Sequence, residues 1–108
     1  MTRERAIDQR YVKYLLSIMY SCGMYDYAGE WVFRVGIPAK SGVGGGIMAV
    51  VPGQLGIGIY SPPLDAKGNS VRGIKVCQEL SERFGLHCFE SGGGRPGIQH
   101  LFSAARRV

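Results

Sequence analysis

Between residues 2 and 22 the apolar side chains Ile7, Tyr11, Tyr14, Leu15, Ile18, Met19 and Cys22 return every three or four positions, with polar and charged residues between them. That is the period of a helix with one buried face. It predicts a helix running from an N-cap at Thr2 to about Cys22, stopped by Gly23. Arg5 stands where a capping box would place Glu, so the box is incomplete. The segment Ala28-Gly29-Glu30-Trp31-Val32-Phe33-Arg34-Val35 reads as a second, short helix, capped by Asp26, with Glu30 near its positive end and Gly36 as its stop. Ile37-Pro38 cannot continue it, because the residue before proline is pushed towards extended geometry.

Beyond the proline the pattern changes from helical to strand-like. Residues 43–51 read as a buried strand whose start is weakened by glycines, Pro52-Gly53 as a turn, and Leu55-Gly56-Ile57-Gly58-Ile59-Tyr60 as a strand alternating apolar residues with glycine. Two strands so closely joined predict an antiparallel hairpin over about 43–60. Glycines at 56 and 58 leave one face nearly bare, which predicts that another element packs closely there. A loop over 61–68 precedes a helix begun by Asn69 or Ser70, with Val71, Ile74, Val76, Cys77, Leu80 and Phe84 on its inner side and Gly85 as its stop. Gly73 within it predicts close contact with the sheet. Leu86-His87-Cys88-Phe89 reads as a short edge strand. Residues 91–97 have linker composition, and 98–108 are balanced between a marginal helix and disorder.

At 108 residues the chain is at most one domain, with a small core and marginal stability. A hydrophobic share of 45% argues against disorder. The net charge of +5 would suit nucleic acid or an acidic surface if it were clustered. It is dispersed instead: Arg3, Arg5, Arg10 and Lys13 are interleaved with Glu4 and Asp8, which argues against a nucleic-acid partner. Cys22, Cys77 and Cys88 lack metal-type spacing, so no metal site is expected. No apolar run approaches the length of a membrane span and no signal peptide opens the chain. The expected setting is the reducing cytoplasm.

The chemistry concentrates in Pro38-Ala39-Lys40-Ser41-Gly42-Val43-Gly44-Gly45-Gly46-Ile47. Here a cation and a hydroxyl stand beside glycines that let a substrate approach the backbone, where free N–H groups can receive developing negative charge. A lysine, a hydroxyl residue and a glycine opening a strand also form the third motif of acyl transferases with a Ser-x-x-Lys nucleophile. None of the serines in this chain has a lysine three positions later. One wall of an acyl-transfer site is therefore present without its nucleophile.

Three blocks, Met19-Tyr20-Ser21-Cys22-Gly23-Met24-Tyr25-Asp26, residues 36–47 from Gly36 through Lys40-Ser41-Gly42-Val43, and Ser61-Pro62-Pro63-Leu64-Asp65-Ala66-Lys67-Gly68-Asn69-Ser70-Val71, occur in an order and spacing that resembles the C-terminal part of the serine-dependent glutaminases. The resemblance covers roughly residues 5–90. It implies an α+β architecture, the C-terminal part of a β-lactamase/transpeptidase-like fold in which an antiparallel sheet packs with flanking helices. On that reading residues 1–90 are a segment of a glutaminase domain and 91–108 a glycine-rich linker and divergent tail.

The resemblance further implies hydrolysis of L-glutamine to L-glutamate and ammonia through a serine acyl-enzyme, without metal or organic cofactor. By motif position Tyr25 matches a pocket tyrosine that relays protons near the nucleophile. A phenol ordinarily titrates at about 10, so such a relay needs a cation close by. Val43 matches the residue whose backbone N–H forms part of the oxyanion hole, and Lys40, Ser41 and Gly42 match the supporting third motif. The nucleophile, its lysine and the other substrate contacts belong to segments that would precede Met1, and Asn69 cannot replace them. The isolated chain is therefore expected to be inactive, and to work with an N-terminal glutaminase portion or in a homo-oligomer.

Two other readings use the same residues. A truncated, non-catalytic relative could bind a glutaminase subunit through its apolar faces, and the acyl-transferase architecture could serve a peptide or lactam, as in penicillin-recognising enzymes. Residue by residue the plainer readings are that Tyr25 caps a core, that Lys40 is solvated in a loop, that Tyr11, Tyr14 and Tyr20 are packing residues, and that Cys22 and Cys77 are inertly buried. His87 and His100 are expected to lack partners, and Ser41 to lack a base that could make it a nucleophile.

Overall fold

The computed structural model describes residues 3–90, so the reading of 91–108, with His100, lies outside the described residues. The first helix, α1, spans Gln9–Cys22 and begins well after the N-cap that its apolar period suggests. Asp8 is the cap instead: its carboxylate accepts the Arg10 N–H at 3.0 Å and satisfies one of the unpaired donors of the first turn. Gly23 ends α1 in a right-handed conformation, so its value there is space. A Cβ at this position would fall 1.8 Å from the Ala39 carbonyl oxygen, where the strand segment crosses.

A single 3-10 turn, Tyr25–Tyr27, leads into α2, Ala28–Arg34. Tyr27 is the N-cap and no side chain bonds at that end, so the expected Asp26 cap is not made. Trp31 anchors α2: it is fully buried, and its indole N–H donates to the Ile37 carbonyl at 2.7 Å, so burying this large ring strands no polar atom. Gly36 follows with φ +68°, a conformation that favours glycine and turns the chain out of the helix.

Three strands form one antiparallel sheet in the order β1-β2-β3: β1 Ala39–Gly42, β2 Gly46–Val51 and β3 Leu55–Tyr60. The hairpin is β2–β3, with Gly46 opposite Tyr60 and Val51 opposite Leu55. The motif segment itself is a strand, β1, pairing Ala39 with Ala49 and Gly42 with Gly46. Residues 43–45, expected to open the second strand, are instead the turn between β1 and β2, closed by the Gly45 N–H to the Gly42 carbonyl. On one sheet face Ala39, Ile47, Ala49 and Val51 join Met24, Trp31, Val35, Ile37, Ile74 and Cys77 in the core. The opposite face carries Met48, Gly56, Gly58 and Tyr60. Nothing lies within 4 Å of where a Gly58 Cβ would stand, so the close packing expected over these glycines is not present among the described residues.

Helix α3, Val71–Phe84, is capped by Ser70, whose hydroxyl accepts the Gly73 N–H at 3.0 Å, and stopped by Gly85 at φ +65°. It buries Gly73, Ile74, Cys77 and Ser81, while Val76 and Phe84 face solvent. Gly73 does lie against the sheet: a Cβ there would sit 2.9 Å from Ile47 Cδ1. Ser81 completes the join by donating to the Val35 carbonyl at 2.6 Å.

Several surface readings change. Helix α1 buries none of its residues, and Tyr11, Tyr14, Leu15 and Ile18 of its apolar stripe are exposed. Its periodicity is genuine and Met19 is half-buried, but most of the stripe lies open among the described residues. Cys22 is exposed where burial was expected, whereas Cys77 is buried. Residues 86–89 are not a strand. His87 has two partners: Nδ1 accepts the Phe89 N–H at 3.1 Å, and Nε2 lies 3.1 Å from the Phe33 carbonyl. Since Nδ1 is an acceptor, Nε2 carries the proton and donates to Phe33.

Candidate functional site

Tyr25, Val43 and the motif residues come from three segments that meet at the end of β1. The α1-to-α2 connection runs alongside this strand, joined to it by the Ser41 N–H donating to the Gly23 carbonyl at 2.8 Å. Two residues later comes Tyr25, the only non-glycine with positive φ (+55°) among the described residues. Its hydroxyl points along β1 and donates to the Ser41 carbonyl at 3.4 Å. The Lys40 ammonium donates to the same carbonyl and lies 4.9 Å from the centroid of the Tyr25 ring. A phenol and a cation are thus gathered at one backbone oxygen, with Tyr25 40% exposed.

Val43 sits in the tight turn just past the last strand pair, Gly42 with Gly46, so its N–H stands outside the β-ladder. Its side chain is 70% exposed. The turn is held from behind: the Ser61 N–H donates to the Gly45 carbonyl at 2.9 Å, and Gly45, at φ +104°, leaves room for Pro62, whose Cα would lie 2.5 Å from a Cβ at residue 45. Side chains are excluded there because the loop over 61–70 presses on the turn.

That loop joins the two candidate residues. A Cβ on Gly68 would lie 3.7 Å from Cδ2 and Cε2 of the Tyr25 ring and 3.9 Å from Cγ1 of Val43. Tyr25 and Val43 are therefore on the same side of the molecule, with Gly68 between them. Gly68 carries no functional reading in the sequence, and Asn69 only the reading that it cannot replace the missing substrate contacts. The signal was the run Asp65-Ala66-Lys67-Gly68-Asn69-Ser70, whose turn-forming composition marks a tightly bonded loop.

Ser41 behaves differently from Lys40. Side chains alternate across a strand, so Lys40 is exposed while Ser41 is on the core face, 1% exposed, with an Oγ that has no hydrogen-bond partner among the described residues. Its carbonyl, not its hydroxyl, meets Tyr25 and Lys40. Gly42 pairs with Gly46, and these two bare positions flank a hollow of about 490 Å³ lined also by Lys40, Met48, Gly58 and Tyr60.

Nearby groups are tuned mainly by burial. Tyr27, which follows Tyr25 by two residues, has its phenol pushed above the ordinary value by burial and then by the adjacent Glu30 carboxylate. The Lys67 ammonium lies 5.5 Å from the Tyr27 ring centroid. Among the described residues no group of three or more His, Cys, Asp or Glu side chains is arranged to hold a metal ion.

A family model described as Glutaminase matches residues 1–89. A glutaminase of Trichormus variabilis is 67% identical over 90 residues, which are 83% of this chain and 27% of that protein. Two solved structures share the backbone arrangement. The crystal structure of a Bacillus glutaminase, obtained in the presence of 4.3 M NaCl, is 41% identical with a TM-score of 0.74, over 77% of this chain and 30% of that one. The crystal structure of Mglu in its tris and glutamate form is 49% identical with a TM-score of 0.78, over 86% of this chain and 21% of that one. The chain thus spans under a third of the length of each of these relatives.

Proposed function

Because this chain belongs to the glutaminase family, we propose that it supplies one wall of a glutamine amidohydrolase site whose serine nucleophile comes from the remainder of such a protein. The observation that supports this best is the meeting of Tyr25 and Val43 at Gly68. The Val43 N–H, outside the ladder, is available to the oxygen of a tetrahedral intermediate. The Tyr25 hydroxyl, beside the Lys40 ammonium, is available to pass a proton between nucleophile and leaving ammonia. Lys40 contributes positive charge and Gly42 contributes clearance. Ser41 contributes its carbonyl, the point on which Tyr25 and Lys40 converge.

The reaction is L-glutamine and water to L-glutamate and ammonia. Attack by the external serine would place negative charge on the former amide oxygen, against the Val43 N–H. Collapse would expel ammonia and leave an acyl-enzyme that water then cleaves. A donor of this kind is worth about 10²–10³ in rate. Losing the nucleophile removes the covalent route altogether, so the 108 residues alone are inactive on this reading.

The same reading names the partner. An α1 with no fully buried residue and a largely open apolar stripe, and a β3 paired only on its β2 side among the described residues, are surfaces suited to the missing part of a glutaminase chain. Assembly with further copies of itself is the competing outcome. Three free cysteines suit a cytoplasmic setting, and no described helix is long and apolar enough to cross a membrane.

The test is ammonia release from glutamine by the purified chain, alone and mixed with the part of the Trichormus variabilis glutaminase that it does not match. Release only in the mixture is expected. Turnover by the chain alone, or a silent mixture in which the two pieces form a stable complex, would overturn the reading. The second of these results, with no effect of Tyr25→Phe on binding, is the signature of a non-catalytic module.

A further inference from the structure

We infer that Asn69 is a positioning residue that holds Tyr25 in its left-handed backbone conformation. Its catalytic consequence rests on the functional reading above, but its structural content does not. A non-glycine residue at φ +55° is strained, so the surrounding contacts must impose it. Asn69 is placed to do so. It is fully buried, and its Nδ2 donates at 3.1 Å to the carbonyl of Met24, the residue immediately before Tyr25. That carbonyl also accepts the Tyr27 N–H at 3.1 Å, so one oxygen is fixed from two directions across the strained residue.

The clamp is rigid because Asn69 is itself held. The Asp65 carboxylate accepts the backbone N–H groups of Lys67 and Asn69 at 2.9 and 3.0 Å, and the Asp65 N–H donates to the Asn69 carbonyl at 2.8 Å. The next residue, Ser70, caps α3 and donates its hydroxyl to the Ser61 carbonyl at 2.8 Å. The side-chain donor of Asn69 is therefore tied to the start of a 14-residue helix. From the same loop Gly68 lies beside the Tyr25 ring, so close that a Cβ there would meet Cδ2 and Cε2 at 3.7 Å. Asn69 bonds the backbone before Tyr25 and Gly68 lies beside the ring, so one segment flanks both the backbone and the phenol of Tyr25.

The Asn69 Oδ1 is buried without a hydrogen-bond partner among the described residues. An apolar side chain of the same shape would therefore relieve one unsatisfied acceptor while removing the donor, which makes Asn69→Leu the informative variant. The experiment is NMR on the isotopically labelled 108-residue chain. In the unsubstituted protein the Tyr25 amide-to-Hα coupling and Cα shift should report positive φ. The Gly68 Hα should show cross-relaxation to the Tyr25 ring, and the Asn69 side-chain amide protons should exchange roughly 100-fold slower than those of a free asparagine. Asn69→Leu should abolish the Tyr25 signature while the Trp31 indole signal stays in place.

Retention of positive φ at Tyr25 in Asn69→Leu overturns the inference. If that variant fails to fold, the unsubstituted chain decides: Asn69 amide protons exchanging at the free rate overturn the inference, and protected ones uphold it. In the mixture with the remaining glutaminase part, Asn69→Leu should lower kcat by about 10²-fold with KM little changed, since displacement of a catalytic group by about 1 Å costs that much. A mixture silent even with the unsubstituted chain removes the functional reading and leaves the clamp to be judged by the spectra.

Discussion

The imidazole of His87 occupies the space that a side chain on Gly36 would need. A Cβ at residue 36 would fall 2.3 Å from His87 Cγ, and the backbone there is at φ +68°. The Cys88 N–H donates to the Gly36 carbonyl at 2.9 Å, so the chain after α3 is laid directly on the exit of α2. Gly36→Ala should therefore suffer twice, from the left-handed backbone and from the ring. A loss of about 2 kcal/mol or more is expected in urea denaturation. Adding His87→Ala to that variant should recover the steric part and leave about 1 kcal/mol of backbone cost. A double-mutant cycle with no coupling would contradict this account.

Trp31 should be the most costly single truncation. It is wholly enclosed and its indole N–H satisfies the Ile37 carbonyl. Trp31→Ala is expected to lose roughly 3–5 kcal/mol, enough to unfold a marginal domain. Trp31→Phe keeps much of the packing but leaves the Ile37 carbonyl without its donor, at a cost of about 1–3 kcal/mol. Denaturant midpoints of the two variants, with near-ultraviolet circular dichroism to monitor packing, provide the measurement.

The cysteines should separate cleanly by reactivity. Burial pushes the Cys77 thiol up to about 11, while Cys22 and Cys88 are exposed. At pH 8 a disulfide-exchange reagent should label two thiols quickly and the third only as the chain opens. The sign of the pH effect follows. The folded state holds Cys77 protonated, so its contribution to stability is intact below the unfolded value of about 9 and is lost as pH rises from there to about 11. The Tyr20 phenol, raised by burial and by the Cys88 thiol 2.8 Å away, acts in the same direction at higher pH. Stability that rises between pH 9 and 11 would refute both.

Two substitutions at residue 43 distinguish a backbone role from a side-chain role. In the mixture with the remaining glutaminase part, Val43→Ala keeps the N–H and should change kcat little, because the side chain is largely exposed. Val43→Pro removes the donor and should lower kcat by about 10²–10³. Equal losses for the two variants would assign the residue to packing instead of charge stabilisation.

Tyr25→Phe in the same mixture removes only the hydroxyl bonded to the Ser41 carbonyl. A proton relay predicts a loss of about 10²-fold in kcat or more, with a changed pH profile. An unchanged kcat would leave Tyr25 as a pocket wall.

Local features of this fold were legible wherever the cause was local. Gly85 as the stop of α3, a start at Asn69 or Ser70, of which Ser70 is the cap, and Gly73 as a contact with the sheet follow from residue type and position. The hairpin β2–β3 follows from two apolar runs and a Pro-Gly turn. What was not legible depended on distant partners. Ala39–Gly42 pairs as a strand because Gly46–Val51 lies beside it, although four residues containing a lysine, a serine and a glycine carry little strand signal of their own. The α1 stripe looked like a core face, but periodicity records only that a face is apolar and not whether a partner covers it. The role of Asn69 beside Tyr25 is not legible because its hydrogen bond reaches back 45 residues to Met24. At the site, motif spacing marked Tyr25 and Val43, but only the folded loop brings Gly68 between them.

The outer edge of β3 carries its own consequence. Leu55–Tyr60 contains neither a charge nor a proline, the devices by which proteins discourage unwanted strand addition. Every second residue of it is small or flat enough to let another backbone slide alongside. A cell making these residues by themselves would therefore face a sticky ribbon, and its chaperones and proteases would compete with whatever polypeptide is meant to close that edge.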